Sequence, residues 1–136
     1  MILTNPYVSI GGSDISSYVK SVTIDYPFEE HDDTAAGDTA RSVELGLANW
    51  TITVTANETY ANGLLNDIMW TKYIAKAEVA LIIKINGGTT STDNPKWTGN
   101  GMITGYPPIS GAVGDQAVAN FTIKPTGGVL TRAEAD

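Results

Sequence analysis

The run Glu29-Glu30-His31-Asp32-Asp33 holds the densest set of titratable groups in this chain. Four carboxylates around an imidazole have the donor chemistry for a divalent cation, and hard oxygen ligands suit calcium. The spacing is not that of an EF-hand loop. His31 is also the only histidine, and the chain has no cysteine, so a zinc site lacks further nitrogen or sulfur ligands. A solvated acidic loop is the simpler reading, and no metal or other cofactor is expected.

Other reactive constellations are weaker still. No serine sits in a Gly-x-Ser-x-Gly elbow. No glycine-rich loop ends in Lys-Ser or Lys-Thr to cradle phosphates. With 15 acidic residues, some pair of carboxylates is always available for glycoside hydrolysis, so such a pair decides nothing. Trp50, Trp70 and Trp97 have faces that stack on sugars or bases. Trp50, however, opens an amphipathic strand on its apolar side and reads as core. Trp70 lies beside a helix stripe, and Trp97 follows Pro95 and Lys96 at a loop–strand junction. Nothing here points to an enzyme.

The elements around these residues are mostly strands. Residues 7–10 read as a short strand closed by Gly11-Gly12. Residues 15–26 read as a longer one, with Tyr18, Val22, Ile24 and Tyr26 on one face and Lys20 interrupting it. Pro27 ends it. Residues 28–39 show neither period; they carry five acidic residues and only Phe28 as a sizeable apolar anchor. Such a segment cannot bury enough apolar area to order itself alone, and a loop this long in a small domain is functional or disordered; a functional loop is expected here. A returning arm is expected at 40–45.

Residues 50–57 alternate strictly, with Trp50, Ile52, Val54 and Ala56 inward and Thr51, Thr53, Thr55 and Asn57 outward. The spacing predicts one helix over 61–75, with a stripe of Leu64, Leu65, Ile68, Met69 and Tyr73 and Thr59 as N-cap. Further strands are expected at 77–85 (covered on both sides), at 97–103 (with Gly99 and Gly101 marking a bulge or close approach), at 116–124 and around 129–130. Residues 131–136 read as a mobile charged tail. The expected fold is mainly β: a β-sandwich or open barrel of six to eight strands with one packed helix, a single domain over 1–136.

Composition narrows the partners. The 136 residues carry a formal net charge of −7, with 15 acidic against 8 basic. Tight wrapping of nucleic acid, which depends on Lys and Arg at phosphates, is excluded by that balance. The absence of cysteine fits a reducing cytoplasm. No basic-then-apolar leader is visible at the N-terminus, and no apolar run is long enough for a helical membrane span.

Several fragments, in order, resemble the tail tube (major tail) proteins of long-tailed bacteriophages. Asn5-Pro6-Tyr7-Val8-Ser9-Ile10 and Gly11-Gly12-Ser13-Asp14-Ile15-Ser16 resemble the family's opening strand-turn-strand. Thr34-Ala-Ala-Gly37-Asp38-Thr39 resembles its Thr-Ala-small-Gly-Asp loop, and Gly46-Leu47-Ala48-Asn49-Trp50 its Gly-Leu-x-x-Trp turn. Gly105-Tyr106-Pro107-Pro108 resembles its late turn. Asn57-Glu58-Thr59-Tyr60-Ala61 departs from the family's Gln/Asn-Asp-Tyr-Ala form but keeps the tyrosine and alanine.

The resemblance implies a structural subunit of the virion tail, assembled in the bacterial host cytoplasm. It implies hexameric rings that stack into a tube, with inner strands of neighbouring subunits joined around a lumen. Double-stranded DNA would pass through that lumen without specific binding. Implied partners are other copies of the chain and the tape-measure, distal tail and terminator proteins, with no membrane. The long loop would reach an adjacent subunit or ring through Phe28, Glu29, Glu30, His31, Asp32, Asp33, Thr34, Gly37, Asp38 and Thr39. Other readings are a tail terminator, a capsid decoration protein or a carbohydrate-binding β-sandwich.

Overall fold

Alternation of apolar and polar residues builds almost the whole molecule. The structure is a computed structural model and describes residues 3–135. In chain order it runs β1 (Tyr7–Ile10), β2 (Ser13–Asp14), a 3-10 turn (Ser16–Tyr18), β3 (Val19–Asp25), β4 (Phe28–Asp32), β5 (Val43–Ala48) and β6 (Thr51–Asn57). It continues with α1 (Leu65–Ala75), β7 (Val79–Lys84), β8 (Lys96–Gly105), β9 (Val118–Pro125) and β10 (Thr131–Ala133). One antiparallel sheet has the order β2-β1-β7-β8-β9-β6-β3, with β10 also on β8, and β4 and β5 form a separate hairpin. The protein is thus mainly β with one helix. Ten strands form where six to eight were expected, because the hairpin and two very short strands carry too little periodicity to be read.

The sheet curls on itself, so that Ile24 near one end and Ile83 near the other line the same groove. Inward positions of β6 and β9 face each other across the ladder as Ile52↔Ile123, Val54↔Phe121 and Ala56↔Ala119, and all six are buried. Trp50 is fully buried, and its indole N–H donates to the Gly128 carbonyl at 3.0 Å. Leu65 and Met69 pin α1 on this core. Thr59 caps the helix from outside it, its hydroxyl accepting from the Leu65 amide (3.2 Å) and its carbonyl from the Asn66 amide (3.0 Å).

Three expectations are corrected. In β3 a bulge between Val19 and Ser21 sets Lys20 outside the register. Val19 faces Ala56 and Val22 faces Val54, so Val19 joins the inward row at the bulge, while Tyr18, in the 3-10 turn, packs on the core as expected. β7 is covered on one side only, since Ala80 is exposed and Ile82 half-buried. Residues 131–133, expected in the tail, are strand β10: Arg132 lies opposite Trp97 with its guanidinium 5.8 Å from the indole centroid, and donates to Glu134 at 2.6 Å. Asp136, the end of that tail, lies outside the described residues.

Gly99 and Gly101 mark close approach, while the irregularity in β8 falls later, between Ile103 and Gly105. A Cβ on Gly101 would lie 2.7 Å from the Lys124 carbonyl and 3.0 Å from the Trp50 ring.

Candidate assembly surfaces

Two surfaces stand outside this chain's own core. The first is the hairpin formed by β4 and β5. It leaves the body between Tyr26 and Trp50. The Asn49 amide donates to the Pro27 carbonyl at 2.8 Å, and Phe28 meets Tyr26 edge to face with centroids 5.5 Å apart. Beyond that root it packs on nothing: no residue from Phe28 to Ala48 is buried.

Register sorts its side chains. Glu30 pairs with Leu45 and Asp32 with Val43, which places Val43 and Leu45 on one face with Glu30 and Asp32, while a register shift opposite Glu29 breaks the alternation before Leu47. These three apolar side chains are 55%, 59% and 75% exposed. Glu29, His31 and Glu44 share the other face, where His31 Nε2 lies 3.7 Å from Glu29 and leans over Gly46. The pentad Glu29–Asp33 is therefore divided between two faces. Among the described residues no three His, Asp or Glu side chains gather to hold a metal ion.

The tip is held by polar bonds. Asp32 Oδ1 accepts from the Thr34 amide (3.0 Å) and hydroxyl (2.6 Å), and Arg41 pairs with its other oxygen. These bonds, the Thr34 ones foremost, hold the Asp32 carboxyl below its ordinary pKa. The Ser42 amide donates to Thr34 Oγ1 at 2.8 Å. A tight turn follows, with the Ala35 amide on Asp38 Oδ2 (2.8 Å), the Asp38 amide on the Ala35 carbonyl (3.1 Å) and Gly37 at φ +99°. Thr39 follows Asp38 on the exposed far side of the tip.

All ten residues expected to make contacts between subunits thus sit on one exposed arm. The expectation that 28–39 is a loop is corrected, since 28–32 is a strand paired to 43–48. Both faces of β4 are polar, which hides its period of two, while ladder hydrogen bonds order it without burial. The exposed apolar side chains Val43, Leu45 and Leu47 were not singled out, although Val-Glu-Leu-Gly-Leu at 43–47 shows an apolar alternation.

The second surface is the outer face of β3, β6, β9 and the end of β8. Thr23, Thr53 and Thr122 stand side by side across three strands, and the Thr122 hydroxyl meets that of Thr104 at 2.8 Å. Ser21, Thr55 and Asn120 form the next row, with Thr55 hydrogen-bonded to Asn120. Asp25 and Lys124 are the charges within these rows, and Lys20 stands at the bulge. Met102 and Val118 also lie on this face, which is otherwise hydroxyl and amide. β3 ends the sheet, so one of its edges is free to pair.

No family model matches this chain, and no curated protein matches it. Solved structures do. The SPP1 tail tube superposes with a TM-score of 0.74 over 97% of this chain and 78% of its own, at 11% identity. The fold is that of the tail tube proteins. A chain of the virion of a native gene transfer agent particle matches at TM-score 0.73 and 13% identity, over 95% of both chains. A chain in the tail of an empty gene transfer agent particle, refined with C6 symmetry, matches at 0.70 and 15%, over 95% of this chain and 94% of its own. No helix of this structure is long and apolar enough to cross a membrane.

Proposed function

We propose that this chain is the tail tube subunit of a bacteriophage-like particle, a structural component of the virion tail that forms hexameric rings stacked into a conduit for DNA. The observation that carries this reading is the tail-tube fold over nearly the whole chain, combined with an arm that folds away from its own core. An arm exposing Val43, Leu45 and Leu47 is costly in a monomer and useful in a polymer. Contacts of this kind run head to tail; they close into rings, and rings stack. The partners are other copies of the chain and the tape-measure, distal tail and terminator proteins, met in the host cytoplasm during assembly.

The threonine face of β3-β6-β9 is the wall we assign to the lumen. Pairing of the free β3 edge with a neighbour would continue that wall around the ring. Its hydroxyl and amide groups give DNA phosphates no cationic row on which to pause. The chemistry is that of a passive conduit, and no catalytic role is proposed.

Electron microscopy of the concentrated protein, with a mass measurement in solution, tests the reading. Hollow tubes or stacked rings support it. Single rings that never stack point instead to a terminator. A protein that stays monomeric even when co-expressed with its tail initiator complex overturns the reading.

A further inference from the structure

The apolar row on the arm has a counterpart on the body of the same molecule. A groove of about 530 Å³ opens where the curled sheet fails to close, between β3 and the β7–β8–β10 side. Its walls are Leu3, Val22, Ile24, Tyr26, Ile85 and Trp97, and its floor is the nearly buried Ile83. The charged side chains lining it, among the described residues, are Lys84 and Arg132, and no acid lines it. The arm has the opposite character. Between Phe28 and Ala48 it carries Glu29, Glu30, Asp32, Asp33, Asp38 and Glu44 against Arg41 alone among fixed cations.

We propose that this groove is the acceptor for the β4–β5 arm of a second copy of this chain, with Val43 and Leu45 seated on its apolar walls and Glu30 and Asp32 facing Lys84 and Arg132. The proposal rests on the tube reading above and deepens it by naming where the arm goes. Two features select this occupant. The arm's apolar row is flanked by carboxylates on the same face, so one docking geometry satisfies both apolar burial and charge. The arm's own root at Tyr26 also forms one wall of the groove, yet among the described residues none of the arm's own residues lines it. The contact is therefore made between copies, and it is heterologous: each copy gives an arm and receives one.

A second apolar shelf, Tyr60, Ile109 and Val113, lies at the opposite end of β6 and is the alternative acceptor. Nothing cationic lines it, and Asp115 does.

Disulfide trapping decides between the two sites, because the chain has no cysteine of its own. The full-length double variants Leu45→Cys/Ile24→Cys and Leu45→Cys/Val113→Cys are assembled, imaged and oxidised. The first is expected to give a ladder of covalent multimers, at least about tenfold above the second. Leu45→Cys/Leu3→Cys repeats the test at an exposed wall residue, in case Ile24→Cys impairs folding. Rings or tubes that cross-link through Val113→Cys, or through neither site, overturn the acceptor assignment and leave the tube reading standing. Absence of any assembly by electron microscopy, in folded protein co-expressed with its tail initiator complex, overturns both.

Discussion

The Tyr106 hydroxyl donates to Glu58 Oε2 at 2.7 Å in the interior beneath α1, where both residues are about 95% buried. Asn66 of the helix donates to the same phenol oxygen at 3.4 Å and to the Pro108 carbonyl at 3.1 Å. Glu58 Oε1 has no hydrogen-bond partner among the described residues. Burial first, and the neighbouring Glu58 second, push the Tyr106 phenol well above its ordinary pKa, so it stays a donor. This cluster ties the end of β6, the start of α1 and the turn after β8 into one unit.

Tyr106→Phe is therefore expected to destabilise the protein by about 1–3 kcal/mol, because it leaves the Glu58 carboxyl buried without its donor. Adding Glu58→Leu should recover part of that loss, since an apolar pair has nothing left to satisfy. Urea denaturation of the two single variants and the double variant measures the coupling. Additive losses would show that the hydrogen bond contributes nothing of its own.

Gly101→Ala tests the close packing of β8 on β9. The new Cβ meets the Lys124 carbonyl at 2.7 Å and Ile123 Cγ2 at 2.8 Å, and backbone cannot yield as a side-chain tip can. A loss of about 1–3 kcal/mol is expected, as for overpacking in cores. Gly87→Ala, which meets nothing within 4 Å, is the control and should sit within about 0.5 kcal/mol of the parent. Equal thermal midpoints for the two variants would contradict this packing.

What could be read in the residues follows the strength of their alternation. β6 was legible because its inward row is apolar and its outward row is threonine and asparagine, and burial follows that row. The inward Val19 was not legible, because a bulge shifts the phase by one residue and leaves no mark in composition. Glu58 sat in a turn motif and looked solvated; only the fold brings Tyr106 from 48 residues away to cover it. β10 was hidden in a polar tail because its order comes from pairing with β8 and from Arg132 on Trp97, not from an apolar face. The arm was expected to be a contact element because it lacks a core-facing period. Its hairpin form and the groove beside its root depend on register and curvature, which local pattern does not encode.

The arm tip should respond to acid in one direction. Asp32 has its pKa lowered in the folded chain, by the Thr34 bonds first and Arg41 after them. Its contribution is therefore complete above the ordinary value of 3.8 and is lost as the pH falls through the lowered folded value. Protection of the Thr34 and Ser42 amides, corrected for intrinsic exchange, should be constant from neutral pH down to that ordinary value and fall below it. Asp32→Ala should lower that protection at neutral pH, with the difference from the parent closing as the pH falls through the lowered folded value. Protection that fades well above 3.8 would mean that another group holds the tip.

The final prediction concerns the wall assigned to the lumen. Thr53 stands in the centre of the threonine rows, between Thr23 and Thr122, and Asp25 is the acidic residue on that face. If DNA slides along this wall, a cation there binds phosphates and slows passage, through attraction that salt screens. Particles carrying Thr53→Lys or Asp25→Lys should therefore assemble tails of normal length yet eject their genome more slowly, with the delay shrinking as ionic strength rises. Lysine introduced at exposed Val113, on the shelf at the far end of β6, is the comparison and should leave ejection unchanged in tubes that form. The salt dependence matters most, because a merely distorted tube would also eject slowly but would not recover in salt. Unaltered ejection by well-formed Thr53→Lys and Asp25→Lys tails would remove this face from the lumen and require the wall to be sought on another surface of the sheet.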